Sequence, residues 1–163
     1  IMRFTLYEAN TDRVSLDKEI NYLENYISLQ QLRLKNPYFV KFEKTIDCKG
    51  MVIAPMLFIP FVENSFKHGL KNIVAPGIEI SLSCENGIIT FEVVNRYSLI
   101  DEQNKDATQG IGLVNTKKRL ELLYPGNHKL EIRKSAGIYS SLGRPTKTSN
   151  LRYRWHSHKG GQP

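Results

Sequence analysis

Asn64, Lys67 and His68 stand at i, i+3 and i+4 within MLFIPFVENSFKHGL, residues 56–70. On a helix that spacing puts all three side chains on one face, bringing together a neutral oxygen ligand, a cation and an imidazole. A plainer reading of the same stretch is a surface stripe in which Glu63 and Lys67 form an i,i+4 ion pair. A second pattern lies downstream, where Gly110 and Gly112 open the run GIGLVNTKKRLELLYP. Glycines at a helix start let the backbone approach a ligand, and the helix behind them offers unpaired N–H groups and partial positive charge. That is an anion site, most naturally for phosphates. Glycine before a helix is also ordinary turn chemistry. Neither GK[ST] nor GxGxxG is present, since Asn115 stands where the third glycine would be.

The elements around these residues follow from periodicity. Ser15 is placed to cap a helix from Leu16 to about Leu34, with Asp17 and Glu19 in its first turn. Leu16, Ile20, Leu23, Ile27 and Leu34 form its buried stripe, which Tyr22, Tyr26 and Leu29 broaden. Asn36-Pro37 ends it, and Tyr38 to Asp47 alternates as a half-exposed strand. Pro55 is placed to open the helix that carries Asn64, with Leu57, Phe58, Phe61, Val62 and Phe66 on its apolar side. Two alternating runs, from Ile78 and from Ile89, flank Asn86-Gly87 and predict a hairpin. Residues 96–109 read as a long polar loop. Gly110 then begins a helix to about Tyr124, with Leu113, Leu120 and Leu123 inward and Lys117, Lys118 and Arg119 outward. A strand from His128 to Lys134, a turn at Gly137 and a strand from Ile138 complete the order. The predicted class is α+β, a mixed sheet with helices on one face.

Length and composition bound the rest. At 163 residues the chain is about one domain, large enough for a core without staples. Cys48 and Cys84 form no CxxC or Cys/His cluster, so neither a disulfide nor a zinc site is expected and a reducing compartment fits. No apolar run approaches the roughly 20 residues that span a bilayer. The chain opens Ile1-Met2-Arg3-Phe4 in what reads as mid-element, as a cut from something longer would. The net charge of +7 is concentrated at one end. Residues 141–163 hold five Lys or Arg and no acid, leaving 18 basic and 16 acidic residues before them. No recognition helix or aromatic-bearing sheet motif accompanies that charge, so specific nucleic-acid binding is not expected.

Three segments in order, SLDKEINYLENYISLQQLRLKN (15–36), PFVENSFKHG (60–69) and GIGLVNTKKRLELLYP (110–125), resemble the ATP-binding domain of the GHKL superfamily. They resemble more closely that of LytS-type sensor histidine kinases, over about residues 2–140. The resemblance implies a two-layer sandwich, ATP and Mg²⁺ as ligands, and phosphoryl transfer to a histidine and on to a response regulator. It also implies a homodimer made through helices mostly outside this chain, and a cytoplasmic position in an inner-membrane sensor. Residues 1–36 would end a dimerisation and linker region, 37–142 would be the catalytic domain, and 143–163 a basic tail, disordered or non-native.

Residue by residue, Asn64 would hold Mg²⁺ against the phosphates, Lys67 would contact phosphate, and His68 would lie beside the ribose or phosphates. Glu63 would organise water on the metal as the catalytic candidate. Gly110 and Gly112 would close over the phosphates with Leu113 packed beneath, and loop 96–109 would be the ATP lid. The chain departs from the family at Val94-Asn95-Arg96-Tyr97, where an Asp-x-Gly motif is expected. Asn95 can accept a hydrogen bond from the adenine amino group but lacks the carboxylate's charge. That departure favours an alternative, a degenerate nucleotide-binding or pseudokinase module signalling by conformation. The phosphoacceptor histidine would lie upstream of this chain, so the fragment alone should not autophosphorylate.

Overall fold

A computed structural model describes residues 13–34, 36–68, 76–98, 111–139 and 145–156. Short strand β1 (Val14–Ser15) leads into helix α1 (Leu16–Gln31). Ser15 is the N-cap, its side chain accepting from the Lys18 N–H, and Asp17 and Glu19 occupy the first turn as expected. The helix stops at Gln31, short of Leu34, and turns through residues 32–33. Strand β2 (Val40–Ile46) and short β3 (Val52–Ile53) come next, then helix α2 (Ile59–His68). The hairpin of β4 (Ile78–Glu85) and β5 (Ile88–Ser98) turns at Asn86 and Gly87, whose φ values of 52° and 77° are the left-handed pair a two-residue hairpin needs. Helix α3 (Ile111–Leu123) and strands β6 (His128–Tyr139) and β7 (Pro145–His156) complete the described chain.

The main sheet has the order β2-β4-β5-β7-β6, with β2 parallel to β4 and every other neighbour antiparallel. A separate pair joins β1 to β3. Along β4, Ile78, Ile80, Leu82 and Cys84 are buried, and along β5, Ile89, Phe91, Val93 and Asn95 are buried, while the residues between them are not. One face of the hairpin therefore meets the core and the other meets solvent. Phe58 and Phe61 pack on Phe91 at ring-centroid distances of 4.7 and 6.3 Å, which seats the start of α2 on the sheet. Phe66 meets Tyr26 of α1 edge-on at 6.3 Å. At the start of β4, a side chain on Gly77 would run into the Phe39 ring, with a Cβ only 2.3 Å from it. Among the described residues no helix is long and apolar enough to cross a membrane.

Further expectations are corrected. Residues 145–156, placed in the tail and not expected to join the sheet, form a strand between β5 and β6. Leu151, Tyr153 and Trp155 stand in register with Val93, Phe91 and Ile89, an alternation obscured by the basic residues between them. Gly137 is no turn, because β6 runs through it with an irregular register between Ala136 and Ile138. Arg96 to Ser98 extend β5, so that part of the expected loop is strand; residues 99–110 lie outside the described residues. Cys48 and Cys84, expected as free thiols, form a disulfide. Finally, α2 starts at Ile59. Pro55 lies in a preceding turn in which Met56 has a φ of 54°.

That turn is held by side chains from both neighbouring helices. Glu19 is fully buried, and its carboxylate accepts the N–H groups of Met56 at 2.9 Å and Leu57 at 2.6 Å, with Phe58 longer at 3.4 Å. Arg119 of α3, expected to point outward, instead donates to the carbonyls of Pro55 at 2.6 Å and Met56 at 3.2 Å. One residue back, the Ala54 N–H donates to the Tyr124 hydroxyl at 2.8 Å, and Arg13 donates to the same oxygen at 2.9 Å. Arg13 also sits 5.0 Å from the Tyr124 ring centroid. Burial pushes the Glu19 carboxyl above its ordinary value, against the pull of the three N–H groups and of Arg119.

Replacing Glu19 with Gln keeps one acceptor oxygen but turns an amide donor on another donor, so we expect a loss of about 1–3 kcal/mol in urea unfolding, and more for Glu19→Ala. Because the folded protein holds this proton more tightly, Glu19 makes the native state lose stability as pH rises from 4.5 through its raised pKa, and the curve is flat above it. The stability advantage of the native chain over Glu19→Gln should therefore shrink with pH across that window. An advantage that grows there would contradict the burial argument.

Candidate nucleotide site

Helix α2 supplies the first part of the site. Its apolar side goes inward, with Phe61 and Val62 buried, and this rotates residues 63, 64 and 67 away from the core. Asn64 is half-buried, while Glu63 and Lys67 are exposed. These two do not pair with each other among the ion pairs of the described residues, so the plain surface-stripe reading loses its main support. Ser65, buried, spends its hydroxyl on the Phe61 carbonyl four residues back at 3.1 Å, as hydroxyls inside helices often do. His68 is the last residue of α2, and its side chain lies outside the described set. The Glu63 charge is felt on α1. The Tyr22 and Tyr26 hydroxyls are raised above the ordinary tyrosine value, first by burial, then by carboxylates that include Glu63.

Strand β5 supplies the second part. Asn95 is 2% exposed and falls on the helix-facing side of β5, four residues beyond the Phe91 ring against which α2 packs. Its backbone is in register with Ile78 on β4 and Ser149 on β7, so it lies within the sheet, away from either edge. Asn95 thus lies in the buried layer between α2 and the sheet, whereas Asn64 stands on the outward flank of α2. A buried amide at a position flanked by buried Val93 gives that layer a polar group with fixed placement.

The third part is the start of α3. The helix opens at Ile111, directly after Gly110, as the glycine pattern predicts. Gly110 itself is outside the described residues; Gly112 and Leu113 lie in the first turn, where backbone N–H groups have no helical partner. Leu120 is buried and Leu123 packs against the core, as expected, while Lys117 and Lys118 face solvent. Thr116 is also buried on this helix.

Glu19, Arg119, Tyr124 and Arg13 went unrecognised at the level of sequence. The first had a signal. Glu19 lies three residues after Leu16 and four before Leu23, inside the arc of the buried stripe, where a carboxylate needs partners to be tolerated. Arg119 likewise falls between Thr116 and Leu123 on the inward arc of α3. These four residues join the turn before α2 to both α1 and α3, the helix with the glycine-flanked start. The two helices that carry the candidate ligand groups are therefore braced through one short segment.

The family model described as histidine kinase matches residues 1–38. Over 142 residues the chain is 30% identical to the sensor protein LytS of Staphylococcus saprophyticus, covering 80% of this chain and 24% of that protein. It is 29% identical over 98 residues to the sensor protein kinase HptS of Staphylococcus aureus, covering 54% of this chain and 18% of the other. The chain thus spans about a quarter or less of the length of these relatives. In fold it is similar to the catalytic domain of histidine kinase ThkA, with a TM-score of 0.54 at 14% identity, over 88% of this chain and 94% of that one. The cytoplasmic segment of histidine kinase QseC gives a TM-score of 0.52 at 10% identity, over 91% and 80% of the respective chains. The chain is thus similar in sequence to part of LytS-type sensor proteins and has the fold of histidine kinase catalytic domains.

Proposed function

We propose that this chain binds ATP with Mg²⁺ and supplies the catalytic part of a sensor histidine kinase. The observation that carries the proposal is the placement of Asn64, half-buried on the outward flank of α2, while Asn95 is buried on the sheet face that α2 covers. Asn64 offers one neutral oxygen and Lys67 a solvent-facing cation, which suits a hard ion held chiefly by phosphate oxygens with few protein ligands. When bound, the ion would supply positive charge that offsets that of the phosphates. Asn64 would orient it, Lys67 would meet phosphate as a point charge, and His68 would lie beside the ribose or phosphates. Glu63, exposed next to Asn64, would hold a metal-bound water.

At the other end, Gly110, Gly112 and Leu113 would form the phosphate-facing start of α3, where unpaired N–H groups and the helix dipole favour anions. Asn95 would take the adenine amino group on its amide oxygen. In the longer protein, the γ-phosphoryl group would pass to a histidine supplied by residues upstream, and then to a response regulator. Residues 1–36 would end the dimerisation region of a homodimer, and residues 37–142 with β7 would form the ATP-binding unit on the cytoplasmic side of a membrane-bound sensor. A second reading, a module that binds nucleotide and signals without phosphoryl transfer, draws on Asn95 standing where the family has a carboxylate.

Titration of this chain with a non-hydrolysable ATP analogue should show binding at or below millimolar concentration that strengthens with Mg²⁺. Asn64→Ala should weaken the Mg²⁺-dependent part about tenfold or more, with little change in melting temperature. Absence of Mg²⁺-dependent binding at millimolar analogue would end the kinase reading for this chain. Binding without histidine phosphorylation in the longer protein would select the second reading.

A further inference from the structure

Cys48 and Cys84 lie outside the candidate site, and nothing in nucleotide binding uses them. Cys84 is fully buried as the last inward residue of β4, paired in register with Ile46 of β2. The Asp47 N–H continues that parallel pairing by donating to the Cys84 carbonyl at 2.8 Å. Main-chain hydrogen bonds therefore set Cys48 beside Cys84, at a Cα–Cα distance of 5.7 Å, through contacts that do not depend on the sulfurs. The two sulfurs differ in access. Cys48 is partly exposed in the turn after β2, whereas Cys84 is enclosed, with the Met51 thioether 3.6 Å from its Sγ.

The bond closes a loop with a sequence separation of 36, and that loop contains β3, the 54–58 turn and the whole of α2. The carbonyl of Met51, three residues after Cys48, accepts the Leu16 N–H at the start of α1. Opening the bond thus releases a segment that bears both Asn64 and the docking point of α1. On the cytoplasmic side proposed above, disulfides are mostly transient or sensory, and this pair has the one accessible sulfur that exchange requires.

We propose that Cys48–Cys84 is a reversible thiol–disulfide site, acted on by small dithiol or thiol reductants, whose oxidation state sets how firmly the α2 segment is held. In the reducing direction a reductant thiolate attacks Cys48 Sγ, the S–S bond breaks, and Cys84 leaves as a thiolate that takes up a proton. A second reductant thiol attacks the mixed disulfide and releases Cys48. The reductant becomes a disulfide, and the protein pair gains two electrons and two protons. Oxidised glutathione runs the sequence backwards. That α2 is also the nucleotide helix rests on the function proposed above.

The test uses the whole chain, poised with dithiothreitol or with oxidised glutathione. Iodoacetamide labelling under denaturing conditions should give two adducts in the first state and none in the second, by mass. Reduction should lower the melting temperature by roughly 5–15 °C, the loop-closure effect expected for a loop of this size, and reoxidation should restore it. Cys48→Ser should melt like the reduced chain in either buffer. Two labelled thiols persisting in oxidised glutathione, or a melting temperature indifferent to thiol state, would overturn the proposal. ATP-analogue affinity, measured well below both melting temperatures, should fall about threefold or more on reduction. Equal affinity in the two states would remove the link to the site, whereas no affinity in either would count against the nucleotide reading and leave the thiol result to stand on its labels and melting.

Discussion

Three consecutive N–H groups, at Met56, Leu57 and Phe58, precede α2, and the Glu19 carboxylate receives all of them. A buried carboxylate is costly to desolvate, and it is tolerated here because its oxygens replace water with backbone donors. The same charge sits at the N-terminal end of α2, where a helix dipole favours it. On the opposite side of the turn, Arg119 takes the carbonyls of Pro55 and Met56. The turn is thus satisfied from α1 on its donor side and from α3 on its acceptor side. Removing either partner strands polar groups of the turn, through which the three helices are joined.

The functional reading depends on this bracing. Asn64 lies in the second turn of α2, a few residues from the clamped segment, and Gly112 lies in the first turn of α3, two turns before Arg119. A phosphate-bearing ligand bound between α2 and α3 requires their spacing to be held before it arrives, because positioning is most of what such a site contributes. Phe58 and Phe61 on Phe91 fix α2 to the sheet, and Tyr124 fixes the end of α3 to Ala54. The lead-in helix α1 enters the same junction through Glu19 and through the Leu16 N–H on Met51. These contacts tie α1 directly to the turn that precedes α2.

Much of this fold could be read from residue order because local signals agreed with tertiary demands. Ser15 capped its helix, Asn86-Gly87 turned its hairpin, and the apolar side of residues 57–66 met the sheet. The resemblance in three ordered segments carried the family, which periodicity alone could not. What escaped was long-range. The pairing of Cys48 with Cys84 depends on a parallel register between β2 and β4 that no local pattern encodes. Strand β7 was hidden because Arg152 and Arg154 dominate a stretch whose Leu151, Tyr153 and Trp155 alternate properly. Arg119 looked solvated beside Lys117 and Lys118, though its position on the helix faces inward. Within the site, the placement of α2 and the helix start after Gly110 were accessible, while the clamp that relates them was not.

The claim that Glu19 and Arg119 together brace the turn that joins the three helices is tested most directly by hydrogen exchange on native chain and Glu19→Ala under conditions where both are folded. The account predicts that amides of residues 56–68 lose protection and that those near Arg119 in α3 lose it with them, while the β4–β5 hairpin keeps its own. Loss confined to α1, with residues 56–68 and α3 exchanging as in the native chain, would contradict it.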